Sequence, residues 1–505
     1  MTATSRLKTW VDEHPDIAVG LVMLLGFALR LPSATQQLEY DEVISMLFAR
    51  LSLDQMVSAT AADTMPPLYY GLLHFWTALG DTLFIARLLS TVIGTLTIPA
   101  LYLLGGRLLE RRIALTAAAL VAVSPVHVFY GHYVRMYGLL LLLGLLASYF
   151  FVRWLQDGRK RDVVCFTLCA GASLYVHNLA VLLIMSLDLL WLMTWTWRRG
   201  GQASRIRTLA AMHAGLFIVY LPWLTYLPGQ LDKVARAFWI PVPGLTELVR
   251  TAIVFHFHLP LPPASLGVAA FLSLLLILLT GYEARRRWRA EPAIRASLLA
   301  LAALAVVPIA LMFLVSQVRP IYVERALLTS SAAYYLLLAA ALAWLPVRRL
   351  AFGLSIALCA GVVLANLHQY RYQEFPRSPL YEVGSYLAQE TGPADYVLHD
   401  NKLSFFPVHF FQPTIPQGYI ADPPGSPNDT LAPGTQDALG LWPTTPEEAV
   451  KGHKRLWLVL FQRALRESEQ AGTPLPSKLW LEQHYPEEAR VTIGDVELYL
   501  YRVEP

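Results

Sequence analysis

Long stretches of this chain carry almost no polar residue, and they show neither a one-sided helical stripe nor the alternation of a half-buried strand. Such runs are buried on every side. A helix that crosses a bilayer needs about 20 mostly apolar residues. Eleven runs fit that reading: 17–32, 83–106, 112–129, 137–155, 163–177, 179–197, 208–227, 264–281, 296–316, 326–345 and 350–367. The two runs inside 163–197 are divided by a turn near His177-Asn178. The first run has the length of a signal peptide's apolar core, but no small-residue cleavage site follows it. It continues into Arg30-Leu31-Pro32 and reads as a retained helix.

After residue 368 the pattern changes. Helix-like stretches (Leu380–Glu390, Thr445–Val450, Arg463–Ala471) alternate with β-type runs (Tyr396–His399, Arg455–Phe461, Val496–Tyr501). A proline-rich passage from Pro413 to Pro433 reads as loop, because proline supplies no backbone donor. The predicted architecture is mainly α: a polytopic membrane domain over 1–368 with about eleven transmembrane helices, then a small soluble α/β domain over 369–505.

Composition agrees. Of 505 residues, 55% are hydrophobic and 15% charged, and the mean hydropathy is +0.45. Soluble proteins carry roughly 25% charged residues, so a soluble globular enzyme is excluded. Cys165, Cys169 and Cys359 all lie in apolar runs and act as small hydrophobes, which excludes a disulfide scaffold.

Net charge is +4, but its distribution says more. With the N-terminus placed in the cytoplasm, twenty Lys and Arg fall on the inner connections and seven on the outer ones up to the last helix. Positive charge retains a loop in the cytoplasm, so the tail after 368 is expected outside. Compact loops and an outer tail without cysteines point to a bacterial inner membrane. The inner loops contain no Walker-type glycine loop or dinucleotide fingerprint, which argues against an ATP-driven pump, and nothing suggests a nucleic-acid partner.

The outer side holds long segments at 33–82 and 228–263 and the tail. The first contains Glu39-Tyr40-Asp41-Glu42 directly before Ile44, Leu47 and Phe48 at helical spacing, so a helix along the membrane surface is expected. Acids at a helix start serve as caps as readily as they serve chemistry. Next come Asp63-Thr64-Met65-Pro66-Pro67-Leu68-Tyr69-Tyr70, His74-Phe75-Trp76 and Arg87-Leu88-Leu89-Ser90. Pro66-Pro67 ends one interfacial helix and starts another. A further connection, Ser124-Pro125 through Tyr130 to Arg135-Met136-Tyr137, holds an arginine at the mouth of a helix pair. That arginine binds an anion or snorkels.

Taken in this order, these segments resemble the GT-C fold membrane glycosyltransferases, in particular the protein O-mannosyltransferase and lipid A aminoarabinose transferase superfamily. The resemblance covers about residues 28–140 through Asp41-Glu42, Pro66–Tyr70, Arg87–Ser90 and Ser124–Tyr137. Pro320-Ile321-Tyr322-Val323-Glu324-Arg325 is similar to the arginine segment those enzymes carry before a late helix. One position departs: Met65 stands where the family often has His and the aminoarabinose group has Lys. Asp63 and His74 are the candidates to take over that side chain's task.

The resemblance implies transfer of a sugar from a polyprenyl-phosphate carrier to an acceptor hydroxyl at the outer face, the acceptor being a glycolipid, a cell-wall polysaccharide or a protein. Inverting transfer needs a carboxylate to take the acceptor's proton and cations to stabilise the departing phosphate. Asp41 is the expected base, with Glu42 its orienting or acceptor-binding neighbour. Arg135 and Arg325 are the expected phosphate ligands, with Arg319, Lys233 and Arg236 in reserve, and Tyr69 and Tyr137 are expected in the cleft.

No cofactor is certain. His256 and His258 would point the same way on an extended strand and could hold a divalent metal with an outer-loop carboxylate. Alternatively, their segment and Phe238, Trp239, Pro241 and Pro243 form an aromatic lid. His177 reads as a structural hydrogen-bonder. The competing function is a transporter or flippase of lipid-linked sugars, which would need ionisable residues at mid-depth and broken helices in pairs. The helix centres are nearly free of charge, Asp188 excepted. A scaffold presenting its tail to a wall polymer would need no Asp41-Glu42 pair.

Overall fold

The computed structural model describes residues 9–80, 82–195, 202–236, 240–426 and 428–504. The chain falls into two compact units. One comprises Met1–Ala34, Thr64–Gly229 and Ile240–Tyr370; the other is assembled from Thr35–Asp63, Gln230–Trp239 and Arg371–Pro505.

The first unit is helical. Among the described residues, eight helices are long and apolar enough to cross a membrane: Pro15–Ser33, Leu83–Leu108, Tyr137–Asp157, Ala203–Leu224, Pro263–Ala290, Pro292–Ser316, Glu324–Trp344 and Arg348–Arg371. At 1.5 Å per residue the 26 residues of Leu83–Leu108 span about 39 Å. A ninth span is formed if Arg111–Val123 and Pro125–His132 are taken together, and it is bent by 62°. Pro125 has no N–H to continue the helical ladder, so the chain turns at Ser124. The two runs at 163–197 form helices Lys160–Leu174 and Ala180–Thr194 of 15 residues each, separated by 175–179. Among the described residues the expected count of about eleven full spans is therefore not confirmed. Hydropathy counts apolar residues, but it does not register a bend or a break within them.

Burial sorts these helices. Leu328–Trp344 is buried at nearly every position, whereas Pro263–Ala290 turns Val268, Phe271 and Leu278 outward. Wide apolar exposure suits a lipid solvent. Small residues allow the closest approaches. A Cβ on Gly94 would lie 2.5 Å from the Gly131 Cα, so helices Leu83–Leu108 and Pro125–His132 touch backbone to backbone. Gly131 also receives the side chain of Arg30, whose Nε would sit 2.2 Å from a Cβ there. Arg30 is fully buried and donates to the carbonyls of Gly26 (2.7 Å), His127 (2.9 Å) and Ala122 (3.5 Å). It thereby ties the end of the first span to the bent pair.

The second unit is built on a five-stranded sheet of β1 (Asp395–His399), β2 (Gln417–Tyr419), β3 (Arg455–Phe461), β4 (Glu487–Ile493) and β5 (Val496–Arg502), in the order β2-β1-β3-β5-β4. β1 runs parallel to β2 and β3, while β5 is antiparallel to both β3 and β4. Helices cover both faces, so central β3 is an unbroken apolar run, as buried sheets require. Trp457, Val459 and Phe461 pack with Val383, Leu387 and Val408 on one face. Leu456, Leu458 and Leu460 pack with Ala449 and Leu481 on the other. Edge strand β4 keeps Glu487 and Glu488 exposed, which protects a free edge. The expected strands and helices of the tail are present. Sequence patterning did not identify β2 inside the proline-rich passage, edge strand β4, or helices Lys402–Phe411, Pro433–Leu439 and Pro476–His484.

Candidate functional site

The acids Glu39, Asp41 and Glu42 belong to the second unit. Glu39 precedes helix Tyr40–Arg50, and its backbone N–H donates to Glu42 Oε2 at 3.1 Å, forming a capping box. Arg377 holds the Glu39 carboxylate at 3.0 Å. Glu42 is completely buried, whereas Asp41, one residue earlier, is half-buried. Of the expected pair, Glu42 closes the capping box from the third helical position and is the more deeply buried of the two.

Packing fixes this helix tightly. Val43, Ile44, Met46, Phe48 and Ala49 are all buried. The Tyr40 ring meets Phe406 at 5.8 Å and the Arg50 guanidinium covers Phe410 at 4.4 Å, both on helix Lys402–Phe411. An amphipathic helix on the membrane surface was expected here, but the observed helix is buried on nearly every side. The next helix, Leu53–Ala62, lies on Pro433–Leu439, where Thr435 donates to the Ala59 carbonyl at 3.3 Å. Gln37 bridges the Ser378 carbonyl and the Tyr381 N–H, each at 2.7 Å. Asp63 pairs with Lys233 at 2.6 Å, both side chains mostly buried. Asp63, a cleft candidate, and Lys233, a reserve phosphate ligand, are therefore engaged with each other.

The first unit gathers cations and aromatic rings. After helix Pro125–His132 the chain makes a tight turn, Arg135 N–H donating to the Tyr133 carbonyl at 2.7 Å, and the next helix begins at Tyr137. Arg135 is 2% exposed. Arg325, on the short turn Glu324–Leu327, sets its guanidinium 5.4 Å from the Tyr137 ring centre. Tyr137 also packs against Tyr130 (5.3 Å) and His177 (6.2 Å), and Tyr130 against His258 (5.6 Å). The charges of both Arg135 and Arg325 reach His177. A buried cation such as Arg135 is costly in a membrane unit and generally marks an ion or substrate site.

The Pro-Pro box locks into this cluster. Helix Leu68–Trp76 starts after Pro67, as its sequence predicts. The Leu68 N–H donates to the Tyr175 carbonyl at 3.0 Å. Tyr69 is fully buried and shares a 2.8 Å hydrogen bond with Ser90, joining the box to Arg87–Ser90. This places Tyr69 in the packing. Tyr70 donates to Met65 Sδ at 2.8 Å and Met136 Sδ at 3.8 Å. Thr64 has φ +74°, an uncommon conformation for a β-branched residue. His74 is half-buried and makes an edge contact with Phe75.

The remaining expected residues lie elsewhere or outside the described residues. Arg319 is exposed. Trp239 lies outside the described residues, as does the side chain of Arg236. His256 ends a helix (Leu245–Phe257), not an extended strand. It is completely buried, bonded through Nδ1 to the Ala252 carbonyl (2.8 Å) and through Nε2 to the Tyr334 hydroxyl (3.0 Å). His258 packs on Phe129 at 4.7 Å. Among the described residues no group of three His, Cys, Asp or Glu side chains could hold a metal ion. Sequence reasoning took His177 as structural and passed over Arg30. Their positions at the ends of apolar runs were the only local signals.

Comparison with known proteins bears on this arrangement. Residues 64–226 match the model of the dolichyl-phosphate-mannose-protein mannosyltransferase family. No curated protein matches the chain. Among solved structures, ArnT from Cupriavidus metallidurans in the apo state is similar over 99% of this chain and 98% of its own, at 12% identity and a TM-score of 0.59. The same protein bound to undecaprenyl phosphate gives 12% identity, 100% and 99% coverage, and a TM-score of 0.58. The archaeal oligosaccharyltransferase AglB from Archaeoglobus fulgidus, in complex with an inhibitory peptide and a dolichol-phosphate, gives 13% identity, 97% and 74% coverage, and a TM-score of 0.56. The fold is thus of the GT-C type, a helical membrane unit with a small C-terminal five-stranded sheet, as the resemblance implied, and the family match begins at the Pro-Pro box.

Proposed function

We propose that this protein is a polyprenyl-phosphate-dependent glycosyltransferase that passes a sugar to an acceptor hydroxyl at the outer face of a bacterial inner membrane, with inversion. The observation that carries this reading is the grouping of Arg135, Arg325, Tyr137 and His177, drawn from three separate segments of a GT-C fold. The Arg325 guanidinium beside the Tyr137 ring, with the charge of Arg135 close to the same group, suits a lipid phosphate, because the planar fork matches phosphate oxygens. The carrier-bound structures of ArnT and AglB support the same donor class.

In the reaction the acceptor oxygen attacks the anomeric carbon from the face opposite the phosphate. The bond between that carbon and the phosphate oxygen breaks, its electron pair leaves with the polyprenyl phosphate, and Asp41 takes the hydroxyl proton. Arg135 and Arg325 balance the charge that develops on the leaving phosphate. Glu42, held by its capping bond, orients the start of the Asp41 helix. Residues 369–505 form the extracytoplasmic domain in this reading, and 1–368 the transferase domain.

The test is a transfer assay on purified protein in detergent, with radiolabelled polyprenyl-phosphate sugars as donors and a membrane extract as acceptor. Wild type is expected to release or transfer sugar. Asp41→Asn, folded normally, is expected to lose about 10²–10⁴-fold in rate. Full activity in that variant would remove Asp41 as the base.

A further inference from the structure

The break at 175–179 is the meeting point of most motif segments in the helical unit. Its backbone accepts the Leu68 N–H through Tyr175. Asn178 donates to the Thr64 carbonyl at 3.4 Å and accepts from the Tyr220 hydroxyl at 2.8 Å. The Tyr175 hydroxyl donates to the Val219 carbonyl at 2.9 Å. Such bracing on several sides is more than a simple turn between helices needs, and it holds the side chain at the centre of the break in one place.

That side chain is His177. Its Nδ1 accepts the Leu179 N–H at 3.1 Å, so the ring proton lies on Nε2. The ring packs 6.2 Å from Tyr137, which carries the Arg325 guanidinium 5.4 Å from its own centre. Arg135 lies two residues before Tyr137 and completes the surroundings. A neutral imidazole in this position donates one directed hydrogen bond without adding charge. Two arginines provide attraction over a distance, and a fixed single donor selects one oxygen of the group they attract.

We propose that His177 Nε2–H is a third ligand of the lipid phosphate, donating to a non-bridging oxygen beside Arg135 and Arg325. This rests on the donor class proposed above. It assigns a binding role to a residue that the sequence alone presents as a turn.

The test compares two substitutions by binding radiolabelled undecaprenyl phosphate and, separately, undecaprenol without its phosphate. His177→Asn keeps an acceptor for the Leu179 N–H, but its amide stops short of the Nε2 position. His177→Gln reaches that position with an N–H donor while losing the cap. The expected result is that His177→Asn weakens phosphate-lipid binding about tenfold to a hundredfold, as for a hydrogen bond to a charged group. His177→Gln should retain most of the affinity, and undecaprenol binding should be unchanged in both.

A purely structural His177 predicts the reverse order, with Asn like wild type and Gln impaired, and that order overturns the proposal. Equal loss of both lipids in both variants overturns it too. If wild type itself does not prefer the phosphate over the alcohol, the donor class fails instead, which separates the two ideas.

Discussion

The Asp63–Lys233 pair offers the sharpest physical test, because sequence reasoning counted both residues as candidates for chemistry. The charges approach to 2.6 Å, with side-chain exposure of 13% for Asp63 and 20% for Lys233. At an effective dielectric near 20, unit charges about 4 Å apart attract by about 4 kcal/mol. Desolvation of both groups offsets much of this, so the pair as a whole contributes little. Removing one partner leaves the other charge poorly solvated, and such losses reach about 3–5 kcal/mol in fully buried cases. With some water access here, Lys233→Met should destabilise by about 2–3 kcal/mol. Asp63→Asn should cost somewhat less, since its amide retains hydrogen-bonding capacity.

The double variant Asp63→Asn/Lys233→Met should cost less than the two single losses summed, by a coupling energy of about 1–2 kcal/mol. Unfolding in detergent followed by tryptophan fluorescence measures all four corners of the cycle, and the transfer assay is run on the same samples. Additive costs would refute the pairing argument. Loss of transfer in Asp63→Asn that the double variant fails to restore would refute the structural assignment of Asp63 and return it to the catalytic candidates.

Three further outcomes follow from packing and protonation. Gly131→Ala should destabilise by about 1–3 kcal/mol, since the new Cβ would meet Arg30 Nε and the Gly94 backbone is already in contact; a thermal shift assay in detergent reads this, and an unchanged midpoint would contradict the close approach. Tyr69→Phe should cost about 1 kcal/mol through its bond to Ser90 and leave transfer intact; a change in transfer rate larger than the stability loss explains would return Tyr69 to the cleft. In the C-terminal unit, burial pushes His399 down to about 3, so the folded state refuses a proton that the unfolded chain accepts below about pH 6.5. Its contribution is therefore intact above that pH and is lost as pH falls toward 3, at about 1.4 kcal/mol per pH unit. Unfolding of wild type against His399→Gln across pH 7 to 4 should show the steeper decline in wild type, and parallel curves would refute the assignment.

Much of this protein was legible from local pattern. Apolar runs identify membrane helices because lipid demands continuous apolar surface and internal backbone hydrogen bonding, and most runs became helices near their expected limits. The break at 175–179 and the helix start after Pro67 were visible because His-Asn and Pro-Pro interrupt or begin helices whatever surrounds them. β3 and β5 were visible because buried central strands are mostly apolar, Arg455, Glu497 and Arg502 being the exceptions here. β2, with three residues between prolines, and β4, with a charged edge, depend on neighbours for their pairing and gave no such signal.

Contacts between residues distant in the chain were set by the fold and not by local pattern. Asp41 and Glu42 are adjacent acids in the sequence, yet Glu42 is fully buried in a capping box while Asp41 is half-buried. Gln37, Tyr40 and Ala59 pack with residues more than 300 positions later, at Ser378, Phe406 and Thr435. Arg135, His177 and Arg325 become neighbours through helix packing. Composition and periodicity report the solvent each segment prefers, because that preference is summed residue by residue. Which side chains then share one site depends on where rigid helices cross, and Arg30 against Gly131 and Gly94 against Gly131 set those crossings by close packing that leaves no trace in hydropathy.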